Sequence, residues 1–347
     1  MEDGADPAAR HPGAQDRSAD DSPAAEVVTL GECLVALVAK DHGPLAEASA
    51  FERHVAGAEA NVAVGLARLG HRVAYVGRVG RDGFGTAILR RLRGEGVLTD
   101  FLAIDETAPT GLLVRERRSL GPAEVAYYRS GSAGARLSVA DVEDAAEAGL
   151  FARARWLHVT GITPALSRSA RAATERAVAL GRESMLTVSL DVNLRRKLWS
   201  DDEAASTLRD LATKADVVLA SGAEAALITG ADPGAAAAEL AEAILALGPS
   251  IAVIKLGAAG AVALEAAGQT ATVSALPTSA VDTIGAGDGF SAGFIAPRLE
   301  GESLGRALEM ANACGAAAVS VIGDLTGLPD RRELDRLLDV AHDDAIR

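Results

Sequence analysis

The 347-residue sequence has little of several residue types that mark particular classes of protein. Its two cysteines, Cys33 and Cys314, cannot form a disulfide framework, so we expect a protein of the reducing cytoplasm. Aromatic residues make up only 3%, which favours closely packed helices and sheets over an aromatic-rich sandwich. Acidic residues outnumber basic ones by 48 to 34, a net charge of −14, so nucleic acid is not an expected partner.

Several motifs are also missing. The densest apolar segment, residues 307–321, contains Glu309 and Asn312, so we expect a buried helix there and no membrane span. The six histidines show no zinc-ligand spacing. The sequence contains no GxxxxGK[ST] motif, and the glycines of residues 77–85 follow GxxGxxGxG rather than GxGxxG. A P-loop is therefore excluded, and a Rossmann site is poorly supported.

What the chain does contain is an α/β pattern. Residues 1–25 have no periodicity and are expected to be a disordered tail, whereas residues 26–347 are expected to form a single domain. After about Arg136, strands alternate with helices, which predicts a mostly parallel sheet with helices on both faces. Polar residues follow the predicted strands, and such residues meet in one crevice of a parallel sheet, although polar strand ends are also common by chance. They are Asp191, Asn193, Arg195, Glu224 and Lys255.

The stretch Val281-Asp-Thr-Ile-Gly-Ala-Gly-Asp-Gly-Phe290 is the most informative. Its small residues let the backbone approach a ligand, and a helix that begins here would direct its free N–H groups at an anion. A carboxylate at Asp288 makes sense beside such a turn if it takes a proton from a hydroxyl that attacks a bound phosphate. The alternative is a glycine-rich turn before a buried helix.

Two earlier segments contain candidate ligand residues. Gly57 is expected to start a helix that Gly70 ends, with Glu59 and Asn61 in its first turn, where they either reach a ligand's hydroxyls or act as helix caps. Gly31 and Glu32 end the first buried strand, which is a ligand position in α/β proteins, although Glu32 could also be a solvated strand end.

Residues 97–136 show a different pattern. Short alternating runs predict an antiparallel excursion, with a helix expected to precede it at Thr86–Arg93. The neighbouring Tyr127, Tyr128 and Arg129 could bind a sugar or an acid, because tyrosine offers an apolar face with a hydroxyl and arginine binds carboxylates. An ordinary strand pair with alternating faces would also explain them.

The ordered motifs resemble those of the ribokinase-like carbohydrate kinases. The signature is Asp282-Thr-x-Gly-Ala-Gly-Asp288, and four further matches occur in the family order across about residues 27–340. These are Gly57-Ala-Glu-Ala-Asn61 with Gly65-Leu-Ala-Arg-Leu-Gly70, Val79-Gly-x-Asp-x-Phe-Gly85, Asp191-x-Asn-x-Arg195 and Lys255-Leu-Gly-x-x-Gly260. The resemblance implies a doubly wound, mostly parallel α/β sheet with a small β-sheet lid from about residues 34–56 and 97–136.

The resemblance also implies roles for individual residues. Asp288 would be the general base, with Gly285, Ala286 and Gly287 as the anion hole and Glu224 near Mg²⁺. ATP would lie along Asn193, Arg195, Ser221, Lys255, Leu256, Gly257, Gly260, Gly285, Gly287 and Asn312. The sugar would contact Glu32, Gly57, Ala58, Glu59, Asn61, Tyr127, Tyr128, Arg129, Arg195 and Asp288. Whether a monovalent cation such as K⁺ is required stays open.

Within the family, the sequence is most similar to 2-keto-3-deoxygluconate kinases, and Arg129 and Arg195 are the candidate partners of a sugar carboxylate. A fructokinase or ribokinase is the alternative, and a non-catalytic sugar-binding regulatory protein is a more distant one. Ser221 stands where the family often has asparagine, and Ala56 precedes Gly57 where a second glycine is frequent. The resemblance further implies a homodimer or higher homo-oligomer that binds no membrane.

Overall fold

A nine-stranded sheet forms the centre of the fold. A computed structural model describes residues 25–118 and 123–346, with side chains described to residue 339. The strand order is β13-β12-β11-β10-β9-β8-β1-β4-β5, and all pairs from β11 to β5 are parallel. The strands are β1 Val27–Gly31, β4 Val73–Gly80, β5 Leu102–Asp105, β8 Trp156–Thr160, β9 Thr187–Asp191, β10 Val217–Ser221, β11 Ile251–Lys255, β12 Ala261–Glu265 and β13 Thr270–Val273. The antiparallel strands β12 and β13 close one edge.

Helices cover both faces of this sheet. They are α1 Ala58–Arg68, α2 Gly83–Gly94, α3 Val139–Glu147, α4 Leu150–Arg153, α5 Thr163–Leu166, α6 Arg168–Glu183, α7 Asp201–Ala212, α8 Gly222–Thr229, α9 Ala237–Leu245, α10 Ala286–Leu299, α11 Leu304–Val319 and α12 Arg331–Ile346. Val27 of β1 belongs to a core cluster with α1, α10 and α11, whereas Val28 and Leu30 belong to a second cluster with α3 and α6–α9. Strands buried on both faces explain the nearly continuous apolar runs in the sequence. The predicted doubly wound α/β fold is therefore confirmed.

A smaller sheet, the lid, stands over the carboxyl ends of the parallel strands. Its order is β3-β2-β6-β7, with β2 Leu34–His42, β3 Phe51–Ala56, β6 Leu112–Arg117 and β7 Val125–Tyr128. The expected antiparallel excursion is only partly correct, because β2 and β6 pair in parallel. The expected range of residues 97–136 is also too wide, since β5 lies within it and extends the large sheet beside β4.

The glycine-rich segment before α2 was placed incorrectly by the sequence pattern. Strand β4 continues to Gly80, and α2 begins at Gly83 rather than at Thr86. The reason is a helix cap, because the Asp82 carboxylate accepts a hydrogen bond of 2.7 Å from the Gly85 N–H. The glycines of this loop therefore serve a strand-to-helix turn.

Two other expectations concern the ends and the environment of the chain. The predicted disordered tail falls almost entirely on residues 1–24, which lie outside the described residues. Within residues 25–118 and 123–346, no helix has both the length and the hydrophobicity that crossing a bilayer would require.

Candidate active site

A cavity of about 420 Å³ lies between the carboxyl edge of the large sheet and the lid. Most of the candidate residues line it, as expected for strand ends in an open parallel sheet. They are Glu32, Gly57, Ala58, Glu59, Asn61, Tyr127, Arg129, Asn193, Arg195, Glu224, Lys255, Gly285, Gly287 and Asp288. The cavity wall does not include Tyr128, Ser221, Leu256, Gly257, Gly260, Ala286 or Asn312.

The amino end of α10 forms the floor of this cavity. Gly285 caps the helix in the left-handed region, at φ 81°, and a side chain there would approach the Asp324 carbonyl oxygen to 3.0 Å. Both features favour glycine at this position. The first helical turn leaves N–H groups without partners inside the helix, and the helix dipole makes this end electropositive. The turn from Gly285 to Gly287 can therefore bind an anion.

Asp288 lies in the first turn of α10 and is buried. Its Oδ2 accepts a hydrogen bond of 2.7 Å from the Asn61 amide, and its Oδ1 accepts a longer one of 3.4 Å from Asn193. Burial, helped by the nearby carboxylates Asp191 and Asp324, raises the pKa of the Asp288 carboxyl to about 7 against the hydrogen bond from Asn61. A carboxylate with such a pKa can act as a general base near neutral pH.

Lys255, at the end of β11, carries positive charge to the same floor. Its ammonium group donates to both oxygens of Asp191, each at 2.7 Å, and Asp191 also accepts a hydrogen bond of 2.9 Å from the Ser291 hydroxyl. The ammonium nitrogen lies 3.7 Å from the place where a Cβ at Gly287 would be. The ion pair therefore holds a cation beside the anion-binding turn.

Glu224 is held by a capping box at the start of α8. Its two oxygens accept hydrogen bonds from the N–H groups of Ser221, at 2.7 Å, and Leu194, at 2.8 Å. Ser221 caps the helix in return and does not reach the cavity. A carboxylate oxygen keeps a free lone pair when it accepts one N–H, so Glu224 fits a Mg²⁺ ion that takes its other ligands from water and phosphate.

The turn between β11 and β12 is built for close backbone approach. Gly257 and Gly260 both adopt positive φ, and a side chain at Gly260 would approach the Val273 carbonyl oxygen to 2.0 Å. Asn312 is buried, and its amide donates to the carbonyl oxygens of Val273 and Ser274 at 3.1 and 3.3 Å. Asn312 therefore ties α11 to the end of β13 instead of facing the cavity.

The cavity wall formed by the end of β1 and the start of α1 carries two buried carboxylates, Glu32 and Glu59. Gly57 begins α1 at φ 142°, where a side chain would meet the Glu32 carbonyl oxygen at 2.5 Å. Glu59 accepts hydrogen bonds of 2.7 and 2.6 Å from the hydroxyls of Thr160 and Thr163, and burial raises the pKa of its carboxyl despite them. Fixed acceptors of this kind suit a ligand rich in hydroxyl groups.

The neighbouring tyrosines separate on the two faces of β7. Tyr127 pairs with Leu113 and lines the cavity, and its ring lies 5.6 Å from the Arg129 guanidinium carbon. Tyr128 pairs with Leu112 and faces the other side, with 65% of its surface exposed. The expectation that Tyr128 contacts the sugar is therefore wrong for this structure, because successive side chains of a strand point to opposite faces.

The positive charge of Arg129 is partly neutralised by the Glu32 carboxylate. Its Nε donates to Glu32 Oε2 at 2.5 Å, and Ser132 also donates to the Glu32 carboxylate. Arg195 is exposed at the cavity edge and lowers the pKa of Asp288 as a minor influence after burial. Of the two predicted cationic partners, Arg195 therefore has the less compensated charge.

Two charged residues of the cavity wall were missed from the sequence. Asp324 is buried, and its carboxylate accepts a hydrogen bond of 3.4 Å from Asn61, the residue that also holds Asp288. Arg115 reaches the cavity from β6 of the lid. The Gly323-Asp324 turn after α11 was a possible signal, but no strand end precedes it. Arg115 is one of several alternating polar residues and carried no signal.

Comparison with known proteins identifies the class to which this arrangement belongs. A family model described as pfkB family carbohydrate kinase matches residues 24–331. The chain therefore belongs to the pfkB family of carbohydrate kinases, phosphotransferases that act on a hydroxyl group.

The individual matches cover nearly the whole chain. The chain is 38% identical to 2-dehydro-3-deoxygluconokinase of Bacillus subtilis (strain 168) over 315 residues, which are 90% of this chain and 95% of that relative. A crystal structure of 2-dehydro-3-deoxygluconokinase from Thermotoga maritima matches with a TM-score of 0.83 and 28% identity, over 91% of this chain and 99% of that one. A double mutant of fructokinase from Vibrio cholerae O395, in a form bound to fructose, ADP and potassium ion, matches with a TM-score of 0.78 and 30% identity over 91% and 99%.

Proposed function

We propose that this kinase phosphorylates a sugar acid with ATP, and that its substrate is 2-keto-3-deoxygluconate, converted to the 6-phosphate. The name 2-dehydro-3-deoxygluconokinase denotes a kinase of this sugar acid, and both relatives of that name described above match at least 90% of this chain. The observation that supports phosphoryl transfer most directly is the buried Asp288, whose pKa is raised to about 7, in the first turn of an anion-binding helix.

In the proposed reaction, the sugar hydroxyl lies against Asp288 and attacks the γ-phosphorus of ATP. The new O–P bond forms as the bond to the ADP oxygen breaks, and the hydroxyl proton passes to the Asp288 carboxylate. The N–H groups of Gly285–Gly287 and the Lys255 ammonium stabilise the charge on the transferring group. Mg²⁺, held near Glu224, would neutralise further phosphate charge. Asn61 keeps the base oriented through its 2.7 Å hydrogen bond.

Charge at the cavity edge supports an acidic sugar. Arg195 is exposed there, and Arg129 retains N–H donors beyond those that its Nε and Nη2 direct at Glu32. Arginine binds carboxylates through paired N–H groups. A neutral sugar, as in a fructokinase or ribokinase, is the second candidate, because the fructokinase neighbour binds fructose with similar architecture. A non-catalytic sugar-binding protein is the third.

We infer a cytoplasmic location from the two free, buried cysteines. A monovalent cation is a further candidate cofactor, since the fructokinase neighbour contains potassium. We also infer a homodimer or higher homo-oligomer.

An ADP-release assay with a panel of sugars tests the function. The panel contrasts 2-keto-3-deoxygluconate and gluconate with fructose and ribose. We expect the wild-type protein to release ADP fastest with 2-keto-3-deoxygluconate. We expect Asp288→Asn to lower kcat by about 10²–10⁴-fold, because the new side chain has the same size but cannot accept the proton.

The binding of the sugar provides the control. Calorimetric titration of Asp288→Asn should give a sugar Kd within about threefold of wild type, because the Asn61 contact and the cavity walls are retained. Near-normal kcat in the variant would remove Asp288 as the base. Faster turnover of fructose would favour the second candidate, and no sugar-dependent ADP release would favour the third.

A further inference from the structure

Asp282 opens the signature segment but has no part in the proposed reaction. Its carboxylate is held by Arg115 of the lid in a paired contact, with Nη1 to Oδ1 at 2.8 Å and Nη2 to Oδ2 at 2.6 Å. The two side chains are only 8% and 10% exposed. Such a forked ion pair is stronger and more directional than a single hydrogen bond.

The same carboxylate also holds two segments of the cavity floor. Its Oδ1 accepts the Ile284 N–H at 3.2 Å, in the turn directly before Gly285. Its Oδ2 accepts the Gly323 N–H at 3.4 Å, next to Asp324. Burial opposes ionisation of Asp282, but the hydrogen bonds and charge of Arg115 outweigh it and lower the pKa of this carboxyl. An ionised Asp282 therefore joins the lid, the anion-binding turn and the loop after α11.

A second lid strand reaches the same loop. His54 of β3 lies against Gly323, where an added Cβ would come within 2.5 Å of its Nδ1. Ala36 of β2 pairs with His54 of β3 and with Leu113 of β6, so both lie with it on the inner face of the lid. Arg115 lies two residues after Leu113 in β6 and therefore shares this face. The inner face thus contacts the floor at two neighbouring points on the side of the cavity where Asp324 lies.

We propose that Arg115 is a positioning residue, which fastens the lid to the anion-binding turn through Asp282 and so keeps water away from the transferring phosphoryl group. The inference rests on the proposed kinase function. Exclusion of water matters because a water molecule can attack the γ-phosphorus in place of the sugar, giving ADP and inorganic phosphate. Fixing the turn relative to the lid also keeps the sugar hydroxyl and the phosphoryl group in the relative position that the reaction requires.

An ion pair that closes the cavity differs from a purely stabilising one in its effect on coupling, which is the number of ADP molecules released per sugar phosphate formed. If the pair closes the cavity, Arg115→Gln should raise the KM for the sugar acid by at least about tenfold, the loss of one charge-assisted contact. It should also release more than one ADP per sugar phosphate formed, with little change in the KM for ATP. Arg115→Lys keeps the charge but loses the fork, so its effect should be intermediate.

The matched control is Arg53→Gln. Arg53 lies on β3 of the same sheet, is exposed, and makes no ion pair with any residue in the described part of the chain. We expect Arg53→Gln to keep the wild-type sugar KM and a ratio of one ADP per sugar phosphate. Thermal unfolding of each variant checks the fold. If Arg115→Gln does not fold, the same measurements are made on Arg115→Lys and Asp282→Asn.

The double variant Arg115→Gln/Asp282→Asn examines the contact itself. Its defect in sugar KM and coupling should be no larger than that of Asp282→Asn alone, because Arg115 acts through the Asp282 carboxylate, which also holds the Ile284 and Gly323 N–H groups. A folded Arg115→Gln with wild-type sugar KM and coupling would overturn the proposal, as would equal losses in Arg53→Gln. If the wild type prefers neutral sugars, only the proposed substrate fails, and the same ratios measured with that sugar still test the pair. If no sugar stimulates ATP consumption, both proposals fall.

Discussion

At the scale of single residues, the site depends on how Asp288 is buried. A carboxyl group in this position loses hydration, so its neutral form is favoured and its pKa rises. The positive end of α10 and the Asn61 amide act in the opposite direction and keep ionisation within reach at neutral pH. A base balanced in this way can accept a proton from a hydroxyl and later release it to solvent.

The raised pKa of Asp288 predicts the pH dependence of the reaction. Only the ionised carboxylate accepts a proton, so kcat/KM should fall about tenfold per pH unit below the pKa and level off above it. With a pKa of about 7, the profile should bend near neutral pH rather than near pH 4. Steady-state rates between pH 5 and 9, with the sugar varied at saturating ATP, measure the bend. A flat profile from pH 5 upward would contradict the assignment.

The same ionisation is linked to stability, which provides an independent control. The folded state binds this proton more tightly than the unfolded chain, whose aspartates titrate near about 3.9. The stability that Asp288 contributes is therefore present below that pH and is lost as pH rises to about 7. Asp288→Asn should have a larger free energy of unfolding than wild type at pH 8, and the difference should shrink at pH 4. Urea titration at both values measures it.

At the scale of helices and strands, the sequence was most reliable where one physical rule acted alone. The α1 helix followed from Gly57 and the helical spacing after it, and the structure gives Ala58–Arg68. The parallel sheet followed from alternating strands and helices, and it brought Asn193 and Lys255 to one edge as predicted. Local periodicity was sufficient for both.

The remainder depended on contacts between distant segments. Tyr128 was placed in the site because it is next to Tyr127, but strand register sends it to the opposite face. Glu32 lines the cavity as expected from the end of β1, but its pairing with Arg129, 97 residues away in the chain, was not predicted. Asp324 enters the cavity through a turn after α11 that follows no strand end. None of these pairings leaves a trace in residue spacing.

Close packing of α10 on α11 leads to a prediction at this scale. A Cβ at Gly293 would lie 2.7 Å from the Met310 carbonyl oxygen and 2.8 Å from the Cys314 sulfur. Gly293→Ala should therefore lower the free energy of unfolding by about 1–3 kcal/mol, because overpacking outweighs the better helix propensity of alanine. Denaturant unfolding followed by circular dichroism measures the change.

A second glycine in the same pair of helices separates packing from propensity. A Cβ at Gly305, in the first turn of α11, would meet nothing within 4 Å. Gly305→Ala should leave stability unchanged or raise it by about 0.5–1 kcal/mol. Equal destabilisation by both substitutions would show that backbone conformation, and not the contact between α10 and α11, requires these glycines.

At the scale of the whole molecule, an acidic chain has to admit anionic substrates. The net charge is −14, yet the anionic substrates must enter one cavity. At the cavity floor, the N–H groups of α10 and the Lys255 ammonium supply positive charge, and Arg195 lies at the cavity edge. A cation that is local to the site, within an acidic protein, favours small anionic ligands over polyanions.

The outer face of the lid predicts how copies of the protein associate. Tyr128 is 65% exposed and Phe51 36% exposed, on the two edge strands of the lid sheet, and strand register places them on the same face. Exposed aromatic residues beside open strand edges favour pairing with a second copy.

We expect a dimer in sedimentation velocity, and a shift to monomer in Tyr128→Asp, because burying a charge in such a contact is costly. Met185→Asp is the control: Met185 is 89% exposed but lies before β9, at the end of the large sheet away from the lid. A dimer that survives Tyr128→Asp, or one that Met185→Asp disrupts, would place the interface elsewhere.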